Sequence, residues 1–305
     1  MIPVIHPNII HLDHVSKTYG RAHAVSDLDL TVASGEVLGF LGPNGAGKTT
    51  TIRLLMGFLR PTAGTVRLFG CDMHAPAQAR TARQRLGFVP DVAGLDPGAT
   101  GERLLDDLAT LQGQLPLDRE AIVETLEVRP TDLRRPIGRL SRGTRQKINL
   151  VQGLQHRPDL IVLDEPTEAL DPLAKRALFT LLQQAHTRGA TIFFSSHILS
   201  EVEELCDRVA LIRGGRLIAV EQIARLRTHL ARRVTLTLAT AEPTLGERLA
   251  TLPTVTEVMN NGNTWRFSVT DLPPLLALLP TLAVADLLIE PPSLEALFLR
   301  YYRDK

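Results

Sequence analysis

The sequence predicts an α/β core built on a mixed sheet, broken by a helical insert and followed by a smaller α+β domain. Three observations predict it. A short apolar run enters a glycine-rich turn and then Lys48-Thr49-Thr50 at the start of a helix, in VLGFLGPNGAGKTT from Val37 to Thr50. Four apolar residues, Leu160 to Leu163, end in Asp164-Glu165, which suits a strand buried on both faces that delivers two carboxylates at its end. Between these stretches, from about 92 to 157, the periodicity is almost purely helical, and after about 221 strands and helices alternate anew. The expected domains are therefore 1–221, carrying the insert, and 222–305.

Composition bounds the function. A chain of 305 residues that is 44% hydrophobic buries two cores without covalent staples. Its two cysteines, Cys71 and Cys206, are too few and too far apart for a disulfide framework or a metal site, which points to a reducing cytosol. A net charge of +1 and 4% aromatic residues offer neither a basic face nor stacking platforms, so no nucleic-acid partner is expected. The opening MIPVIHPNII has no Lys or Arg before its apolar residues and does not read as a secretory signal. The most apolar long window, 272–289, contains Pro273, Pro274, Pro280 and Asp286, which argues against a membrane span.

Taken in order, Ile9 to Val32 reads as antiparallel strands, with Leu28, Leu30 and Val32 alternating against Asp29 and Thr31. Tyr19, just upstream of the glycine turn's strand, is either a stacking surface for a base or ordinary surface packing. The turn has Gly42, four free positions, Gly47, Lys48 and Thr49, the spacing of a phosphate-binding loop. Glycines allow successive N–H groups to converge on an anion, and the helix that follows adds the positive end of its dipole. Lys48 then reaches the β- and γ-phosphates, and the Thr49 hydroxyl is a Mg²⁺ ligand. A helix over 48–59, a strand over 65–69, a helix over 77–85 and the apolar run 86–89 lead into the insert. There Leu104, Leu105, Leu108 and Leu111 share one helical face, and Ile122, Val123 and Leu126 another.

The insert's last helix opens at LSRGTRQ, where Ser141 suits an N-cap and the helix start a second anion site. Given the phosphate loop, Asp164 is the candidate for holding Mg²⁺ through water and Glu165 for polarising an attacking water. After a helix over 173–185 and a strand over 191–194 comes Ser195-Ser196-His197. A lone His there is a structural hydrogen-bonder or a catalytic group, and a second parallel strand puts it on the sheet edge that carries Glu165. Ser200 and Glu203 have capping-box spacing, and Gly214-Gly215 reads as a two-residue hairpin turn. The tail reads β-α-β-β-α-β, with a closing helix over 293–302, the order of a ferredoxin-like domain.

With GPNGAGKTT, LSRGTRQ, LIVLDEPTEALD and Ser196-His197 placed in that order, the chain resembles the ATP-binding subunits of ABC transporters over roughly residues 9–220, and above all those that serve a separate exporter permease. The resemblance implies an ABC-type core with an antiparallel β subdomain and a helical insert. It implies ATP and Mg²⁺ as ligands, with Tyr19 against adenine and the run Gly42-Pro43-Asn44-Gly45-Ala46-Gly47-Lys48-Thr49-Thr50 around the phosphates. Asp164 would help hold Mg²⁺, Glu165 would be the catalytic base, and His197 would contact the γ-phosphate. Ser141, Arg142, Gly143 and Thr144 occupy the signature position that meets nucleotide on the other subunit. Two such subunits, identical or paralogous, are implied in a head-to-tail dimer, with an integral membrane permease as partner at the cytoplasmic face of the cell membrane.

Three departures stand out. Asp91 in FVPD takes the place of a Gln that ligates Mg²⁺; Arg142 and Thr144 replace Gly and Gln; and Glu168 replaces a small or neutral residue. With Lys48, Glu165 and His197 present, hydrolysis is still expected. The competing class is an ABC ATPase without transport, acting as an ATP-driven conformational regulator. A GTPase is disfavoured because no Asn-Lys-x-Asp motif occurs.

Overall fold

Alternating apolar and polar residues make β1 (Asn8–Tyr19) and β2 (Ala22–Ala33) a long antiparallel pair, with Leu12 opposite Leu30 and Val15 opposite Leu28. A register shift between Leu12 and Val15 turns His14 and Asp27 to positive φ, the signature of a bulge. The computed structural model describes residues 8–90, 95–113, 115–228 and 231–290. The chain divides into two compact units, Met1–Glu221 and Gln222–Lys305.

In the first unit the fully buried β3 (Val37–Leu41) leads into α1 (Lys48–Leu55). That helix is shorter than the 48–59 expected, because Gly57 takes a φ of +68° where a Cβ would come within 2.7 Å of the Met73 carbonyl oxygen. Then β4 (Ala63–Leu68) and β5 (Cys71–Asp72) complete a four-stranded sheet in the order β2-β1-β4-β5. Cys71 and Cys206 are both free, and burial pushes the Cys206 thiol pKa up.

The helix α2 (Pro76–Arg83) and strand β6 (Leu86–Val89) precede the insert, whose helices are α3 (Gly101–Gln112), α4 (Arg119–Thr125), α5 (Pro130–Leu133) and α6 (Arg142–Leu154). The expected apolar face of α3 is narrower than its spacing suggests. Leu105 is buried and Leu104 and Leu108 half-buried, but Leu111 is 81% exposed in the helix's last turn. Asp91 lies outside the described residues.

The core resumes with β7 (Leu160–Asp164), α7 (Pro172–Thr187), β8 (Thr191–Ser196), α8 (Leu199–Leu205), β9 (Arg208–Arg213) and β10 (Arg216–Gln222). Asp171 caps α7, accepting from the Leu173 and Ala174 N–H groups, and Pro172 at the first position sets the start. The expected capping box at Ser200 and Glu203 does not form. The helix starts two residues earlier, with Ile198 in place of Ser200 as N-cap, and Ser196 Oγ accepts the Ile198 N–H at 2.9 Å.

The six-stranded sheet runs β10-β9-β3-β8-β7-β6. Strands β9, β3, β8, β7 and β6 are parallel, and β10 turns back on β9 at Gly214-Gly215 as expected. Register brings Leu41 level with Ser196 and Asp164 level with Ser195. The carboxyl ends of β3, β8 and β7 therefore lie in one row, the edge at which open parallel sheets bind ligands. One apolar cluster joins both sheets of this unit, from Ile10 and Leu28 to Phe40, Val162 and Phe193.

The second unit contains α9 (Ile223–Thr228), β11 (Arg232–Leu238), α10 (Leu245–Ala250), β12 (Val255–Asn261), β13 (Thr264–Val269), α11 (Leu272–Leu278) and β14 (Val284–Ile289). Its sheet is antiparallel in the order β12-β13-β11-β14. The apolar window 272–289 divides into α11 and β14, and among the described residues no helix is long and apolar enough to cross a membrane. The closing helix expected over 293–302 lies outside the described residues.

Candidate functional site

The glycine turn begins where β3 ends. Gly47 has a φ of +108°, and a Cβ there would come within 2.6 Å of the Ala24 carbonyl oxygen, so both conformation and space exclude a larger residue. Among the described residues, a Cβ at Gly45 would meet nothing within 4 Å. Because α1 starts at Lys48, the N–H groups of its first turn have no carbonyl of their own helix to bond, and they converge with the dipole's positive end.

Lys48 is only 6% exposed. Taking an ammonium out of water costs several kcal/mol unless it is paired. Here Nζ donates to the carbonyl oxygens of Gly42 at 2.6 Å and Pro43 at 3.1 Å and lies 3.0 Å from Glu165 Oε1. That last contact is an ion pair whose angle falls short of a hydrogen bond.

The two carboxylates at the end of β7 have different surroundings. Asp164 is buried, which pushes its carboxyl above the usual range, while hydrogen bonds from Ser195 and Thr49 pull it partly back. Glu165 turns out of the strand with a φ of +49°, an uncommon conformation for a residue with a side chain. Its N–H is held by Ser195 Oγ at 3.0 Å, and the same hydroxyl donates to Asp164 Oδ1 at 2.9 Å. Its carboxylate lies between two side chains, with Oε1 3.0 Å from Lys48 Nζ and Oε2 2.7 Å from His197 Nδ1.

Thus the structure brings together Lys48, Thr49, Asp164, Glu165 and His197, from the ends of three adjacent strands. Thr49 and Asp164 present a hydroxyl and a carboxylate to each other, a hard-oxygen donor pair that fits Mg²⁺. The loop, with its free N–H groups over a buried ammonium, fits a polyphosphate.

Other expected residues stand elsewhere. Tyr19 ends β1 with its ring 49% exposed and Lys17 Nζ 5.2 Å from its centroid. Ser141 caps α6 as expected, accepting from the Thr144 N–H at 3.1 Å. Arg142 pairs with Glu168 at 2.5 Å, so two of the sequence's departures meet each other. A Cβ on Gly143 would approach the Ala169 carbonyl oxygen to 2.9 Å.

Sequence reasoning missed a supporting network. Ser195 positions both acids. Buried Glu201 accepts from Ser196 at 2.7 Å and Thr167 at 2.9 Å and pairs with Lys175 at 2.9 Å, which ties α8 to the loop after β7. The signal available was Ser195-Ser196 directly before His197, two hydroxyls at the end of a strand otherwise wholly apolar from Ile192.

Fold and site together define a phosphate-loop nucleoside triphosphatase. The family described as ABC transporter matches residues 25–168. The chain is 36% identical over 295 residues to Nod factor export ATP-binding protein I of Burkholderia lata, covering 95% of this chain and 96% of that protein. It is 37% identical over 213 residues to the bacitracin transport ATP-binding protein BcrA of Bacillus licheniformis, covering 69% of this chain and 68% of that one. Among solved structures, an ATP-binding subunit of an ABC transporter superposes with a TM-score of 0.66 at 28% identity, covering 72% of this chain and 92% of that one. The dimeric cassette MJ0796, at 22% identity and a TM-score of 0.63 over 70% of this chain and 98% of its own, shares the fold. The chain belongs to the ABC transporter family, as an ATP-binding subunit with the family's ATPase activity.

Proposed function

We propose that this ATPase drives export through a separate integral membrane permease, working at the cytoplasmic face of the cell membrane as a head-to-tail dimer with a second copy or a paralogue. The observation that carries the reading is the Glu165 carboxylate, held between Lys48 and His197 beside a loop fitted to phosphates. The names of the relatives, for Nod factor export and bacitracin transport, favour transport over a purely regulatory role.

In this reading Lys48 exchanges Glu165 for the β- and γ-phosphates when ATP enters. The freed carboxylate then orients and polarises the attacking water, while His197 holds its other oxygen and reaches the γ-phosphate. Thr49 and Asp164 would hold Mg²⁺, which when bound neutralises charge on the phosphate oxygens. Tyr19 stacks on adenine. The start of α6, with Ser141, Gly143 and Thr144, meets the nucleotide held by the partner, because its capped first turn is an anion site that the chain's own phosphate loop does not need. Residues 222–305 serve as an accessory domain, and the antiparallel order β12-β13-β11-β14 with helices at α10 and α11 supports a ferredoxin-like topology.

The test is Glu165→Gln. Losing a general base lowers hydrolysis about 10²- to 10⁴-fold, while equilibrium binding of ATP is expected to persist. Turnover within a few-fold of the natural chain would remove Glu165 from this role.

A further inference from the structure

The start of α6 and the loop after β7 touch at three points. Gln146 Nε2 donates to the Pro166 carbonyl oxygen at 2.8 Å, Gly143 packs on the Ala169 carbonyl, and Arg142 Nη2 meets Glu168 Oε2 at 2.5 Å. The first two join the buried amides farther along α6 in seating the helix. Gln146 is buried, and its bond satisfies an amide that would otherwise be stranded. The third contact differs in kind. Arg142 and Glu168 are 56% and 44% exposed, and an exposed pair shifts an equilibrium by no more than about fivefold. It adds little to position.

Its location suggests another use. Arg142, Glu168, Gln146 and Ala169 line one cavity of about 110 Å³ with Thr49, Asp164 and Glu165. A guanidinium fork accepts carboxylate and phosphate with the same geometry, and the phosphate carries more charge. At the first position of a capped helix, the dipole adds to the preference for the phosphate.

We propose that Glu168 is a built-in competitor of triphosphate for Arg142. Without nucleotide the carboxylate occupies the guanidinium. When a second subunit brings its γ-phosphate to the start of α6, Arg142 transfers to it, and Glu168, already half in water, is rehydrated. The inference rests on the two-subunit reading above. It makes a prediction of opposite sign for the two partners, which a purely structural pair does not. Removing Glu168 frees Arg142 and takes away a charge that repels phosphate, so it favours the ATP-bound dimer; removing Arg142 disfavours it.

The experiment uses the full chain carrying Glu165→Gln, with association followed by sedimentation as Mg-ATP is raised. Adding Glu168→Gln is expected to lower the ATP concentration at half-association about two- to fivefold, and adding Arg142→Ala to raise it by at least as much. The double change is expected to fall within about twofold of Arg142→Ala, and raising NaCl to narrow the gap between the parent and Glu168→Gln. If both single changes raise the midpoint, the pair only positions the helix and the proposal is overturned, as it is if Glu168→Gln leaves the midpoint unmoved. No ATP-driven association in the parent itself would overturn the pairing of two copies of this chain, and with it this inference, which is made for that pairing.

Discussion

Asp164 and Glu165 are neighbours in the chain, and their side chains have opposite environments. Asp164 closes β7 among buried residues and holds its charge at a cost, which the Ser195 and Thr49 hydrogen bonds only partly offset. The consequence for stability has a definite sign. A carboxyl whose native pKa lies above its unfolded value of 3.8 loses stability as pH rises through that interval, and the full penalty remains at neutral pH. Asp164→Asn keeps the size and the acceptor for Ser195 but removes the charge. Its nucleotide-free melting temperature at neutral pH is expected to rise by about 2 °C or more, with hydrolysis falling sharply, and the gain is expected to vanish at acid pH as the natural carboxyl takes up its proton. A lower melting temperature for the variant at neutral pH would show that hydrogen bonding, not desolvation, decides this site. Glu165, by contrast, leaves the strand at a positive φ and reaches Lys48 and His197, so the fold tolerates backbone strain at the point where this side chain turns outward.

The element that organises the insert is α6, and its buried face is not apolar in the ordinary way. Gln146, Asn149, Gln152 and Gln155, spaced every three residues, donate to the carbonyl oxygens of Pro166, Pro90, Phe88 and Leu105. Four buried amides thus tie one helix to the β7 loop, the end of β6 and α3. Each bond satisfies an amide that is buried away from water, and leaving a buried polar group without its partner costs about 1–3 kcal/mol. Gln152→Leu is expected to lower the stability of the first unit by that amount in a denaturant titration; an unchanged midpoint would mean that Phe88 finds another donor. A search for apolar periodicity passes over this face because its residues score as polar. The same search is reliable for β3 and β7, whose continuous apolar runs end at the glycine turn and at the two acids. It is unreliable for Leu111, because helical spacing selects a face without revealing how far along the helix a neighbour extends.

On the scale of the whole molecule, the two units have separate apolar cores. The second is built on Trp265, Phe267, Leu236 and Leu249, with Gly246 leaving room for the indole, since a Cβ there would stand 3.2 Å from the ring. Trp265→Ala is expected to cost about 3–5 kcal/mol in the unfolding of this unit. Calorimetry is expected to show that transition falling while the one shifted by ATP stays in place; movement of both by the same amount would show a single cooperative unit. The amino-acid sequence by itself determined the phosphate loop, the acid-bearing strand, the capped start of α6 and the order of elements in the tail, because each is a local pattern whose chemistry requires particular residues at fixed spacing. Only the tertiary structure decided that Ser195 holds both acids, that Glu165 bridges Lys48 and His197, and that Arg142 meets Glu168. Those contacts join segments 26 to 117 residues apart, and they depend on strand order and register, which no local pattern encodes.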